Sequence, residues 1–153
     1  MNPTSKNNLN LYKTDFVVWT EQTAKLIHAK KFSQVDWQAV VEEIESLGKS
    51  DRREIKSRLE VLLQHLLKWQ YQSNFQSSSW QSTIYEQRKR ILDLLKDSPS
   101  LQPYLTEVLP ESYHRGKQAA SDEIKVQINT FPADCPYAID QILDSEFLPR
   151  VIS

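Results

Sequence analysis

Glycine is scarce in this chain: its 153 residues contain two, Gly48 and Gly116, where ordinary usage of roughly 7% would supply about eleven. A dinucleotide-binding fingerprint takes three closely spaced glycines, and a phosphate loop takes two before its lysine. Turn-rich β sandwiches and barrels spend glycine at their tight hairpins. Two isolated glycines write none of these. Cysteine is scarcer still, and Cys135 alone leaves no internal disulfide. No run approaches the ~18 apolar residues of a membrane span, and the N-terminal stretch has no basic segment leading into an apolar one. An excess of one charge is also lacking. Nineteen basic and twenty acidic side chains leave a net charge of -1, so no overall field would hold the protein on nucleic acid or an anionic membrane. These absences point to a reduced, cytoplasmic protein without a membrane.

What the chain does contain is helical periodicity, which makes the expected class all-α. With roughly 100° of rotation per residue, five segments give coherent apolar stripes. Tyr12, Phe16, Trp19, Thr23, Leu26 and Ile27 share one face of a helix starting near Thr14, with Asp15 and Glu21 placed early. Asp36 caps a second helix with an inner face of Trp37, Val40, Val41, Ile44 and Leu47, and Gly48 supplies a left-handed stop. Ser50 caps a third, Asp51 to Tyr71, whose Ile55, Leu59, Leu62, Leu66 and Trp69 alternate spacings of four and three, widened by Leu63 and Leu67. This is the expected central helix. The uncharged Ser/Gln-rich stretch 72–79 reads as the main loop, docked through Phe75 and Trp80. A fourth helix, Trp80 to Lys96, turns Ile84, Ile91, Leu94 and Leu95 inward. Ser98-Pro99-Ser100 ends it and caps a short helix with Pro103 in its first turn. Pro110 opens a fifth long helix, on which Tyr113, Gly116, Ala120, Ile124 and Gln127 line one side, the small residues suggesting close approach to another helix. Phe131-Pro132 and Cys135-Pro136-Tyr137 make a corner before a last short helix with Ile139, Ile142 and Leu143. The expected organisation is an arm over 1–11, a single helical domain over 12–149 built as a bundle of four to five main helices with a short C-terminal one, and a tail over 150–153.

Several of these residues also carry a resemblance. Tyr12, Asp15, Phe16 and Trp19, Asp36-Trp37, Glu42-Glu43-Ile44-Glu45-Ser46-Leu47-Gly48, His65-Leu66-Leu67-Lys68, Ser79-Trp80, Arg88, Ser98-Pro99-Ser100-Leu101, Tyr113, and Phe131-Pro132 with Cys135-Pro136 stand in an order similar to the cyanobacterial "domain of unknown function 29" family. The resemblance runs from about Tyr12 to Pro149. It implies a small helical protein and no established activity, so no catalytic residue is carried over. Gly116 departs from the alanine that the resemblance leads one to expect.

One polar cluster stands out. Arg88 projects between Ile84, Ile91 and Leu95 rather than with Glu86, Lys89, Arg90 and Asp93. A guanidinium in an apolar stripe needs a partner, and a bidentate carboxylate is the expected one. Glu43 and Glu45 flank the stripe of the second helix, and His65 borders that of the third beside Arg58, one turn from Trp69. Three readings compete for Glu43, Glu45, His65 and Arg88: a satisfied network fixing helix register; a crevice taking an anionic group, with Trp69 or Trp80 as a wall; and metal-assisted hydrolysis. The last lacks paired Glu-x-x-His motifs, so no metal or cofactor is expected. Cys135 reads as a small buried hydrophobe rather than a nucleophile. The run Lys49, Arg52, Arg53, Lys56 and Arg58, which Lys68, Arg88, Lys89 and Arg90 could join, is interleaved with Asp51, Glu54 and Glu60. It reads as a solvated face before a nucleic-acid surface. The expected function is a non-enzymatic interaction or regulatory role, with a protein partner or self-association. The alternatives are a metal-dependent hydrolase or anionic-ligand binder using the cluster, and a weak nucleic-acid binder.

Overall fold

The computed structural model describes residues 11–72, 74 and 77–152; residues 1–10 of the arm expected over 1–11, the docking of Phe75 and the last residue of the tail lie outside them. Among the described residues there are helices and connections and no strand. A helical turn over 11–14 precedes α1 (Phe16–His28), α2 (Trp37–Tyr71), α3 (Ser78–Asp97), α4 (Leu101–Ile124) and the short α5 (Ile139–Leu143), with 3-10 turns at Phe32–Gln34 and Ile128–Thr130. The class is all-α. The chain forms two compact units, Met1–Lys49 and Ser50–Ser153.

In the first unit the caps follow the sequence. Asp15 Oδ1 accepts from the Val18 amide at 3.2 Å at the start of α1, and Asp36 Oδ1 accepts from Ala39 N at 3.2 Å at the start of α2, each satisfying an N–H that has no partner within its helix. Trp19, Thr23, Val35 and Ala39 are the buried residues. Tyr12, Phe16 and Trp19 pack against one another with ring centroids 4.6–6.2 Å apart, Phe16 stacked on Trp19 and Tyr12 tilted to both. The expected inner face of the second helix is not one: Trp37, Val41, Ile44 and Leu47 are exposed, and Ala39 is the buried position there.

Gly48 does not end that helix. α2 runs unbroken through it, no glycine has a positive φ, and a Cβ at position 48 would meet nothing within 4 Å. A glycine at a helical φ, with no residue behind it that stops the helix, costs stability without terminating the helix. Ser50 therefore lies inside α2 instead of capping a separate element.

The second unit is a helical bundle whose core is built on the expected stripe. Ile55, Leu59, Leu62, Leu63, Leu66 and Leu67 are fully buried, and Ile84, Ile91, Leu105, Tyr113, Ala120, Phe131, Tyr137 and Ile142 are buried with them. Ser77 caps α3 by accepting from Trp80 N at 3.2 Å. The short helix expected around Pro103 and the long one expected from Pro110 are one helix: Pro110 lies inside α4, where it forfeits the hydrogen bond its own amide would have made and its ring crowds the carbonyl one turn earlier. Ser100 gives α4 no side-chain cap, and the helix closes at Lys125 in the left-handed region, φ 59°.

Gly116 is where α4 meets α2. A Cβ there would stand 2.9 Å from Glu60 O, 3.2 Å from Gln64 N and 3.2 Å from Leu63 Cβ. Two of these are main-chain atoms of a helix, which cannot swing aside, so the position takes glycine where the family resemblance led one to expect alanine. The two glycines should therefore respond oppositely. Gly48→Ala is expected to stabilise by about 0.5–1 kcal/mol through helix propensity. Gly116→Ala is expected to destabilise, because overpacking of roughly 1–3 kcal/mol outweighs the same gain. Urea unfolding of the two variants measures both signs.

Candidate functional site

Of the sequence-selected residues, Glu43, His65 and Arg88 take separate partners. Glu43, in the first unit, accepts a hydrogen bond from Tyr12 Oη at 3.1 Å; desolvation and this bond to the carboxylate hold the Tyr12 phenol above its ordinary value. Glu45 is exposed.

In the second unit, Arg88 is buried in the apolar face of α3 beside Ile84 and Ile91, as its projection indicates, and is 3% exposed. Its acceptors are main-chain oxygens instead of the expected glutamate. Nε donates to Ile142 O at 2.7 Å and Nη2 to Phe147 O at 3.0 Å, and among the described residues no carboxylate reaches it as an ion pair. Ile142 O belongs to the last turn of α5, whose carbonyls have no helical partner of their own and favour a cation. Burial pushes the guanidinium below its ordinary value, opposed by the charge of Asp144. Arg88 thus ties α3 to the segment that carries the C-terminal end of the domain.

His65 belongs to a second polar centre. Its Nδ1 lies 2.8 Å from Val61 O, an atom that only accepts, so Nδ1 carries the proton and the Nε2 lone pair faces Lys68 Nζ at 3.5 Å. Lys68 is 1% exposed, and its ammonium donates to Glu123 Oε1 at 2.7 Å and stands over the Trp80 ring, 4.5 Å from the centroid. Gln64 Nε2 donates to the other oxygen of Glu123 at 2.7 Å. The ammonium thereby meets a carboxylate, an imidazole lone pair and an aromatic face, which together replace its water. The bonds from Lys68 and Gln64 outweigh desolvation and hold the Glu123 carboxyl below its usual range. Of the two expected walls, Trp80 covers Lys68, while Trp69 packs half-buried against the core.

Lys68 and Glu123 were not singled out by sequence reasoning, which placed Lys68 with the solvated basic run. Periodicity puts Lys68 on the side of α2 away from Ile55, Leu59, Leu62 and Leu66, so an amphipathic projection carries no sign of its burial. Arg88, which the same reading joined to that run, is buried as well, whereas Lys56 pairs with Glu111 at 2.8 Å and Arg58 with Glu54 at 3.0 Å as on a charged face.

Burial, followed by the charge of Lys68, holds the His65 imidazole below its ordinary 6.5, against the Val61 hydrogen bond and Glu123. The unfolded chain therefore takes up a proton near pH 6.5 that the folded one refuses. Stability is expected to fall as pH drops from that value toward the folded pKa, and His65→Gln should flatten this part of the profile. Chemical denaturation between about pH 7 and 5 measures the slope.

Among the described residues no three His, Cys, Asp or Glu side chains converge on a metal-sized site. Burial holds the Cys135 thiol above its ordinary value, the direction opposite to a nucleophile's. No helix of the described residues is long and apolar enough to cross a membrane. The chain is thus an all-α protein with buried polar clasps. It belongs to the family of the domain of unknown function DUF29, whose model matches residues 11–148. No curated protein and no solved structure matches it.

Proposed function

We propose that this chain is a non-enzymatic interaction protein of the cytoplasm that docks on another protein through the apolar face of α2 in its first unit. The observation that carries this reading is the stripe Trp37, Val41, Ile44 and Leu47, whose spacings of four, three and three residues put them on one helix face while they stand 45–63% exposed. Helices keep such a stripe because something covers it. Phe16, Val17 and Phe32 of the same unit are also exposed, while its buried set is small. The buried polar residues of the second unit are hydrogen-bonding clasps in this reading, which agrees with a fold that presents a surface rather than a reaction.

The test replaces Ile44 and Leu47 with glutamate, a good helix former that leaves exposed positions folded. Wild-type protein is expected to self-associate or to retain a partner in affinity capture, and the double variant to lose this with unchanged circular dichroism. A wild type that stays monomeric and captures nothing, or a variant that associates equally well, would contradict the reading.

A further inference from the structure

The Arg88 guanidinium uses two of its three nitrogens on Ile142 O and Phe147 O. The third, Nη1, has no acceptor among the described residues, and it is not one of the sealed polar atoms lacking a partner. It is therefore not sealed, although Arg88 as a whole is only 3% exposed, and Arg88 lines an open groove. That groove, of about 460 Å³ along α3, is continued by one of about 240 Å³, and both share Tyr85, Arg88 and Ser145. The size is that of a small-molecule site. Ser78, Ser82 and Ser145 line the larger groove, together with the apolar Ile84 and Leu148.

We infer that this groove is a binding site for a small organic oxyanion, a singly charged carboxylate or phosphate group seated on Arg88 Nη1. The two carbonyls hold the guanidinium fork in a fixed orientation, so an oxyanion arriving at Nη1 meets a donor that is already ordered. Among the described residues Arg88 makes no ion pair; Asp144 acts on its charge without forming one, and Asp93 and Lys89 line the smaller groove with charges of opposite sign. Glu146 also lines the larger groove. Its carboxylate disfavours a doubly charged head group and restricts the ligand to one negative charge. The serines suit a ligand body carrying hydroxyl or carbonyl oxygens.

The site is tested by amide chemical-shift titration of the whole chain with acetate and, separately, with inorganic phosphate near pH 6, where phosphate is mostly the monoanion. Saturable shifts at Ser82, Tyr85 and Ser145, with a Kd on the order of 1–10 mM for such small probes, are expected. Stronger binding of acetate assigns the head group as carboxylate, and stronger binding of phosphate assigns it as phosphate. Ser82 is exposed, so Ser82→Asp should keep the wild-type Tm while weakening binding by about tenfold or more through like charge. Absence of saturable shifts for both probes, shifts centred on the basic run Lys49 to Arg58, or unweakened binding by Ser82→Asp would each overturn the inference.

Discussion

Glu123→Ala is expected to destabilise the protein by about 3 kcal/mol, whereas Lys68→Met should change stability by less than about 1 kcal/mol. The asymmetry follows from where the two charges sit. The Lys68 side chain is 2% exposed and that of Glu123 is 47% exposed. Removing the carboxylate strands an ammonium in the interior, with only an imidazole lone pair and an indole face in place of water. Removing the ammonium leaves a carboxylate that water and Gln64 still solvate, and methionine fills the stem's volume against Trp80. For a chain of this size the first change lowers Tm by roughly 6–12 °C. Equal losses in the two variants would show that the pair, rather than the buried cation, sets the cost.

Arg88→Met is expected to cost roughly 2–4 kcal/mol, because it leaves Ile142 O and Phe147 O without their donor. Had the partner been a glutamate, as the sequence suggested, changing Glu43 or Glu45 to glutamine would recover part of the loss. With main-chain acceptors neither second change restores it, and the double variants should be additive within about 0.5 kcal/mol. Amide hydrogen exchange adds a local signature: protection in α5 and the following turn should fall first, since Arg88 holds that segment to α3. A wild-type Tm, or rescue by Glu43→Gln, would contradict this account of Arg88.

These residues also mark where sequence reasoning succeeds and stops. The second-unit core was legible because Ile55 to Leu67 repeat at helical spacing and every one of the six aliphatic residues on that stripe is buried. The interior position of Arg88 was legible for the same reason. Its acceptors were not, since any residue's carbonyl can receive a guanidinium and a helix end such as α5 has no residue code for doing so. The length of α2 was misread because glycine permits a left-handed stop without requiring one. The same stripe logic that located the core assigned Trp37, Val41, Ile44 and Leu47 to an interior, although periodicity records only that a face is apolar. Whether that face is covered by its own chain or by another molecule is not written in the pattern.

The direct measurement of the docking face is photocross-linking from a benzophenone side chain placed at Ile44, with the same group at the exposed, polar position Lys96 as reference. Irradiation of the assembled protein is expected to join position 44 to a residue of a second polypeptide, a partner or another copy, and to give no such product from position 96. Adducts from position 44 confined to its own chain, or equal yields from the two positions, would contradict the claim that the α2 stripe is an interface.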